Sequence, residues 1–190
     1  MLPLPNSFYE KNLKRLYNEV VKDFPQIREK DISTDFNLSV KVAGLIYRLD
    51  LDEYGDWKVD FILAASRPFF DMSESLKKGT IAHELGHYVE VARRPNLNNI
   101  MRKRKWIGES KYYTQHKFEI GFCKLFDKKV RHKDHRIKQW YLLSEMYADN
   151  KAFEAGYGKE LLGALKYLVG KGANKKYAGI RIKNLEEKLR

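Results

Sequence analysis

The sequence predicts an α+β fold in which a small mixed sheet and one long helix precede a helical second half. Three observations predict it. Apolar and polar residues alternate between about residues 36 and 66, which is typical of strands. Residues 72–94 have the length and the end signals of a helix, and residues 133–156 give a second strong helix pattern. We therefore expect one domain over residues 1–190.

The predicted domain has three parts in chain order. Residues 1–71 hold an N-terminal amphipathic helix and the sheet, residues 72–94 the long helix, and residues 95–190 a helical subdomain. Pro25 ends the first helix, and Gly156 is the expected C-terminal cap of the helix over 133–156. The individual predicted elements are a helix over Ser7–Phe24, strands over Phe36–Asp50 and Trp57–Ser66 with a turn at 52–56 between them, and helices over Lys111–Phe126, Glu160–Val169 and Ile180–Arg190.

The ends of the long helix are marked in the sequence. Asp71 followed by Glu74 reads as a capping box, and Pro95 closes the other end. Gly79 and Gly86 lie inside the helix, where each costs about 1 kcal/mol relative to alanine. A glycine directly before His87 indicates that another backbone packs very close there.

The long helix contains the string His83-Glu-Leu-Gly-His87. Residues four apart lie about one turn apart on one face, so both imidazoles can bind the same ion, for which we expect one zinc per chain. Glu84, beside the first ligand, is the expected general base that deprotonates a metal-bound water. The apolar neighbours Ile81 and Leu85 indicate burial, which is costly for charged groups unless a metal holds them.

A catalytic zinc normally has three protein ligands and one open position. Glu145 is the expected third ligand, because Glu145 and Asp149 lie four apart on one helix, with Ala148 leaving room for Gly86. Asp149 is expected to accept a hydrogen bond from the outer ring nitrogen of His83. The rival ligands are His116 with Glu119, and the pair His132 and His135, which sits among basic residues that would repel a cation.

A strand directly before the zinc-binding helix can lie at the edge of a cleft. An edge strand there would pair with an extended peptide through main-chain hydrogen bonds. An ordinary sheet strand without a ligand is an equal alternative. The residues expected to bind substrate in this way are Phe61, Ile62, Leu63, Ala64 and Ala65.

Composition limits the class of protein. The single cysteine, Cys123, excludes an intramolecular disulfide, and the absence of a long apolar run leads us to expect a cytoplasmic protein without membrane contact. Residues 1–95 hold 14 Lys and Arg against 15 Asp and Glu, so the formal net charge of +12 comes entirely from the second half. Basic runs at 102–105 and 128–138 allow nucleic-acid binding, but without a nucleic-acid motif a solubilising surface is favoured.

His83-Glu-Leu-Gly-His87 together with Ser144-Glu-Met-Tyr-Ala-Asp149 resembles the gluzincin metallopeptidases of the HtpX and CAAX-prenyl-protease type. The similarity covers about residues 57–190, and without transmembrane helices the chain is closer to the soluble minigluzincins. The resemblance implies a zincin-like fold, zinc held by His83, His87 and Glu145, Glu84 as general base and acid, and Asp149 supporting a ligand. Some minigluzincins are similar to latent zymogens whose own C-terminal segment blocks the cleft, so the resemblance leaves open whether this chain is latent.

One family element is missing, and it leaves one role open. Lys176-Tyr-Ala-Gly179 stands where larger relatives have a His-Pro element before the last helix. The residue that stabilises the transition state is therefore open between His116, Tyr157 and Tyr177.

The expected function is hydrolysis of peptide bonds in a peptide or protein substrate. Two alternatives come from other classes of protein. The stretch Ile81–Tyr88 also resembles regulatory proteases of the ImmA/IrrE type, which would cut one specific repressor. The second is a non-catalytic module in which zinc is structural and the basic half binds nucleic acid.

Overall fold

The computed structural model describes residues 5–36, 42–51, 57–92, 111–114, 135–173 and 175–190. These residues form an α+β fold, as predicted, with one mixed sheet and mostly helical structure after it. The helices are α1 (Asn6–Val20), α2 (Arg67–Phe70), α3 (Glu74–Ala92), α4 (His135–Glu154), α5 (Gly158–Gly170) and α6 (Lys175–Lys188), and the strands are β1 (Ile32–Phe36), β2 (Ala43–Leu51), β3 (Trp57–Ala65) and β4 (Lys111–Thr114).

The sheet has the strand order β1-β3-β2-β4. Strand β1 runs parallel to β3, with Ile32 opposite Phe61 and Phe36 opposite Ala65. Strand β2 runs antiparallel to both β3 and β4, so the sheet is mixed. Sequence analysis did not predict β1, because its Ser33-Thr-Asp35 centre lacks the apolar alternation that marks a half-buried strand.

The expectation that residues 61–65 form an edge strand is wrong. Phe61 to Ala65 pair with Ile32 to Phe36 on one side and with Ala43 to Tyr47 on the other. Their main-chain groups are thus used inside the sheet, and the residues Phe61, Ile62, Leu63, Ala64 and Ala65 offer no open edge to a peptide. In the described part of the chain, the outer strands are β1 and β4.

The predicted helix over 111–126 is wrong at its start. Lys111 to Thr114 form β4, which pairs with residues 46–49 of β2. Tyr112, Tyr113 and Thr114 are residue types that favour a pleated strand, and this preference outweighed the spacing of apolar residues that suggested a helix. Residues 115–126 lie outside the described part of the chain.

Helix α3 begins two residues later than predicted and has a different cap. The Ser73 carbonyl accepts from Lys77 N at 3.0 Å, and Ser73 Oγ lies 3.5 Å from Leu76 N. The predicted Asp71 capping box is wrong, because the short helix α2 ends there and Asp71 is its C-terminal cap residue. The helix therefore starts from serine, a preferred residue at that position.

Helix α3 lies in the centre of the fold, between the sheet on one side and helices α4 and α5 on the other. Its two interior glycines lie at the helix crossings. A Cβ at Gly86 would lie 2.5 Å from the Ala148 carbonyl oxygen in α4, and one at Gly79 would lie 2.4 Å from Leu161 N in α5. The close backbone approach predicted at Gly86 is therefore present, and it sets how near α4 comes to the histidines.

Helix α4 ends at Glu154, and Gly156 forms its C-terminal cap as predicted. Gly156 has a φ of 91°, and its N–H donates to the Phe153 carbonyl while Tyr157 N donates to the Ala152 carbonyl. This Schellman motif turns the chain into α5. Helix α6 begins five residues earlier than predicted, and the fully buried Leu185 fixes it to the core. In the residues described, none of the helices has the length and apolar character needed to cross a bilayer.

Candidate metal centre

His83, His87 and Glu145 form a buried cluster whose possible ligand atoms all lie within 4.8 Å of one another. The Nε2 atoms of the two histidines are 3.1 Å apart. Glu145 Oε2 lies 3.4 Å from His83 Nε2, and Glu145 Oε1 lies 3.5 Å from His87 Nε2. Two imidazole nitrogens and a carboxylate are a donor set suited to a divalent metal ion, so this group can hold one.

Two helices bring the three side chains together. Helix α3 places His83 and His87 one turn apart on one face, and α4 presents Glu145 toward that face. The approach is close because Gly86, between the histidines, lies against Ala148. The sequence features that predicted the cluster, the i,i+4 spacing and the small residues, are the features that assemble it.

The outer nitrogen of His83 has a charged partner. His83 Nδ1 lies 2.8 Å from Asp149 Oδ1, and Asp149 is completely buried. This is the hydrogen bond expected from the sequence. In the neutral imidazole, an Nδ1–H that donates to this carboxylate leaves the lone pair on Nε2, the atom that faces Glu145 and His87.

The outer nitrogen of His87 has different neighbours, which sequence analysis did not identify. His87 Nδ1 lies 3.5 Å from Ser144 Oγ and 4.0 Å from Glu90 Oε2. Ser144 Oγ in turn donates to Glu90 Oε2 at 2.6 Å. A weak signal was present, because Glu90 follows His87 by three residues and Ser144 precedes Glu145.

Arg181 of α6 is the second contribution that sequence analysis missed. Its Nε and Nη2 donate to the two oxygens of Asp149 at 2.7 and 2.6 Å, and its Nη1 donates to Glu145 Oε2 at 2.5 Å. The signal in the sequence is an arginine four residues before the buried Leu185, which places a charge on the inward face of α6. The planar guanidinium suits this double contact, since it can bind one carboxylate bidentately and still donate to another.

The charges of the cluster depend on one another. Burial alone would raise the pKa of Glu145, but the Arg181 charge and the hydrogen bonds from His83 and His87 hold that pKa well below its usual range. The pKa of Asp149 is lowered in the same way, chiefly by His83 and Arg181 against the effect of burial. Burial would lower the pKa of His87, yet Glu145 and Glu90 raise it to about 10, and Asp149 and Glu145 likewise raise the pKa of His83.

The other predicted site residues have different positions. Glu84 is buried on α3 beside His83. Tyr157 donates its hydroxyl to Asp23 Oδ2 at 2.6 Å, a contact between the start of α5 and the turn after α1 rather than with the three ligands. Tyr177 lies on α6 one turn before Arg181, so it faces the same side of that helix.

Three of the four rival ligands lie outside the residues that the structure describes. His116, Glu119 and His132 fall outside the described ranges, and His135 is the first residue of α4. The cluster of His83, His87 and Glu145 is the arrangement found among the described residues. Compared with protein-family models, with curated proteins and with solved structures, the chain gives no match.

Proposed function

We propose that the chain is a zinc-dependent endopeptidase with a zincin-like catalytic domain of the minigluzincin type. The observation that carries the proposal is the buried triangle of His83 Nε2, His87 Nε2 and a Glu145 carboxylate oxygen. Ligands placed tetrahedrally at 2.0–2.1 Å from zinc are separated by about 3.3 Å. The two histidine nitrogens are 3.1 Å apart, close to that spacing, and each has one oxygen of the Glu145 carboxylate near it, Oε2 at 3.4 Å from His83 Nε2 and Oε1 at 3.5 Å from His87 Nε2, which supports zinc.

The proposed chemistry divides between the metal and one carboxylate. Zinc, when bound, would lower the pKa of a bound water to near 7 and polarise the carbonyl of a peptide bond. Glu84 is the general base in this proposal: its carboxylate accepts a proton from the attacking water and delivers it to the leaving amine. Its position next to His83 in a mostly apolar, buried stretch of α3 supports this role, because competing water is kept away.

The decisive experiment combines zinc content with peptide cleavage. We expect one zinc per chain in the wild type, with cleavage of casein or of a quenched fluorescent peptide. Glu84→Gln should keep the zinc and the fold but cleave at least about a hundredfold more slowly. Glu187→Gln is the matched control, since its side chain is 60% exposed on the outer part of α6, and its rate should equal that of the wild type.

Other results would change the proposal in defined ways. Cleavage that survives in Glu84→Gln at equal zinc content would contradict the assigned general base. Zinc without cleavage by any variant would count against a general endopeptidase and favour a latent form or an ImmA/IrrE-type enzyme with one protein substrate. Deleting residues 175–190 is a poor test of latency, because it removes the buried Leu185 and the Arg181 contacts together.

A further inference from the structure

Arg181 is a cation that contacts the cluster from outside the two ligand-bearing helices. Its side chain is 13% exposed, and it reaches Glu145 and Asp149 across the contact between α4 and α6. The guanidinium also lies against His83, with Nη2 at 3.1 Å from Nδ1 and 3.4 Å from Nε2. Arg181 therefore contacts the predicted ligand Glu145, the carboxylate of Asp149 that supports His83, and the imidazole of His83 itself.

One oxygen of Glu145 lies close to both Arg181 and His83. Glu145 Oε2 accepts from Arg181 Nη1 and is also the carboxylate oxygen that lies 3.4 Å from His83 Nε2. A metal ion bound by His83, His87 and Glu145 would draw on the same carboxylate, whose other oxygen, Oε1, lies 3.5 Å from His87 Nε2. Arg181 and the metal are both cations, so at such short separations they repel each other as well as sharing an acceptor.

The contact with Asp149 differs from the contact with Glu145. Asp149 faces Arg181 with both oxygens and His83 with one of them, and it is not one of the three grouped ligands. The Arg181 fork on Asp149 is therefore compatible with a bound metal, whereas the single bond to Glu145 is the one that a metal would weaken.

We propose that Arg181 is a built-in counter-cation that balances Glu145 and Asp149 before metal binds and competes with the metal for the Glu145 carboxylate. Helix α6 thereby sets the metal affinity of a site whose ligands all lie on α3 and α4. The inference rests on the metal-binding part of the proposed function and not on peptide cleavage.

The test compares Arg181→Gln with the wild type in two measurements that need no substrate. Zinc affinity is measured by competition with a chromophoric chelator, and thermal unfolding is followed with excess chelator and with excess zinc. We expect Arg181→Gln to bind zinc at least about tenfold more tightly, because a like charge is removed. With chelator its melting temperature should fall by at least about 5 °C, because two buried carboxylates lose their partner.

Two further variants separate the charge from its surroundings. Arg181→Lys keeps a charge without the planar fork, so its zinc affinity should stay closer to the wild type than that of Arg181→Gln. Arg15→Gln is the matched control, since it breaks ion pairs with Glu19 and Glu74 at a 46% exposed side chain far along the sequence from the cluster. It should leave zinc affinity unchanged.

The inference fails if Arg181→Gln binds zinc as the wild type does or more weakly, since Arg181 would then only orient the ligands. It also fails if the lysine variant tightens binding as much as the glutamine variant. If Arg181→Gln is unfolded with chelator, recovery of its circular dichroism on adding zinc supports the inference, and no recovery contradicts it. A wild type that binds no zinc would overturn the proposed function as well, and the first titration reveals that case.

Discussion

His83 and His87 lie one turn apart on the same helix, yet their outer nitrogens have different partners. His83 Nδ1 meets the fully buried Asp149 at 2.8 Å, and through Asp149 it is connected to Arg181 and helix α6. His87 Nδ1 meets a hydroxyl at 3.5 Å, and the acid behind it, Glu90, belongs to α3 itself. A change in α6 should therefore reach His83 through Asp149 and the centre through Glu145, whereas the groups described beside His87 Nδ1 lie on α3 and α4.

The largest expected effect comes from a change that disturbs both histidines together and so does not distinguish His83 from His87. Gly86→Ala places a Cβ 2.5 Å from the Ala148 carbonyl, and backbone atoms on both sides must move. We expect the free energy of unfolding to fall by about 3 kcal/mol or more and zinc binding to weaken strongly. Chemical denaturation and chelator competition would measure the two effects.

Two other glycines serve as controls for that variant. Gly79→Ala clashes with α5 rather than α4, so it should destabilise the fold with a smaller change in zinc affinity. A Cβ at Gly179 in α6 would have no atom within 4 Å, so Gly179→Ala should raise the free energy of unfolding by up to about 1 kcal/mol. Equal zinc affinities in Gly86→Ala and the wild type would show that the α3 to α4 approach does not position the ligands.

The next largest effect distinguishes the two histidines. Asp149→Asn keeps the shape of the side chain and removes its charge, so we expect zinc affinity to fall by about 10- to 100-fold. Ser144→Ala, the matched change beside His87, should cost about threefold or less, because a 3.5 Å contact is a weak hydrogen bond. Chelator competition on both variants measures the difference, and equal losses would contradict the asymmetry.

The dependence on pH is the prediction that needs no change of residue. Because the pKa values of both histidines are raised in the folded chain, their stabilising effect is complete below the unfolded value of about 6.5 and is lost as the pH rises through the folded value, about 10 for His87. The lowered pKa values of Glu145 and Asp149 give the opposite sign, with stability lost as the pH falls below about 4.

Because of the two histidines, protein kept free of metal by a chelator should therefore lose stability between pH 6.5 and 10. Zinc affinity should rise over pH 6 to 8, by up to about tenfold per pH unit for each proton released. Thermal unfolding and chelator competition across this range measure both trends. Asp149→Asn should reduce the dependence of stability on pH that comes from His83, whereas Ser144→Ala should leave the pH dependence nearly unchanged.

Much of the site could be predicted from local sequence. The spacing of His83 and His87 and that of Glu145 and Asp149 follow from helix geometry, and Gly86 indicated how near the two helices come. Arg181 could not be placed in the same way, because its contacts depend on how α6 crosses α4. The sheet shows the same limit: alternation of apolar residues identified β3, but its place between β1 and β2 depends on pairing over a long sequence separation.

The two glycines of α3 have a consequence for any attempt to isolate the histidines on a short peptide. Each lowers the intrinsic helix tendency by about 1 kcal/mol, and most of the stability of a helix in a protein comes from tertiary packing rather than from its own propensity. A peptide covering Glu74–Ala92 would contain both imidazoles but would spend most of its time as coil. The distance between the two nitrogens is thus maintained by α4 and α5, and the fragment would lack both the second helix and the carboxylate.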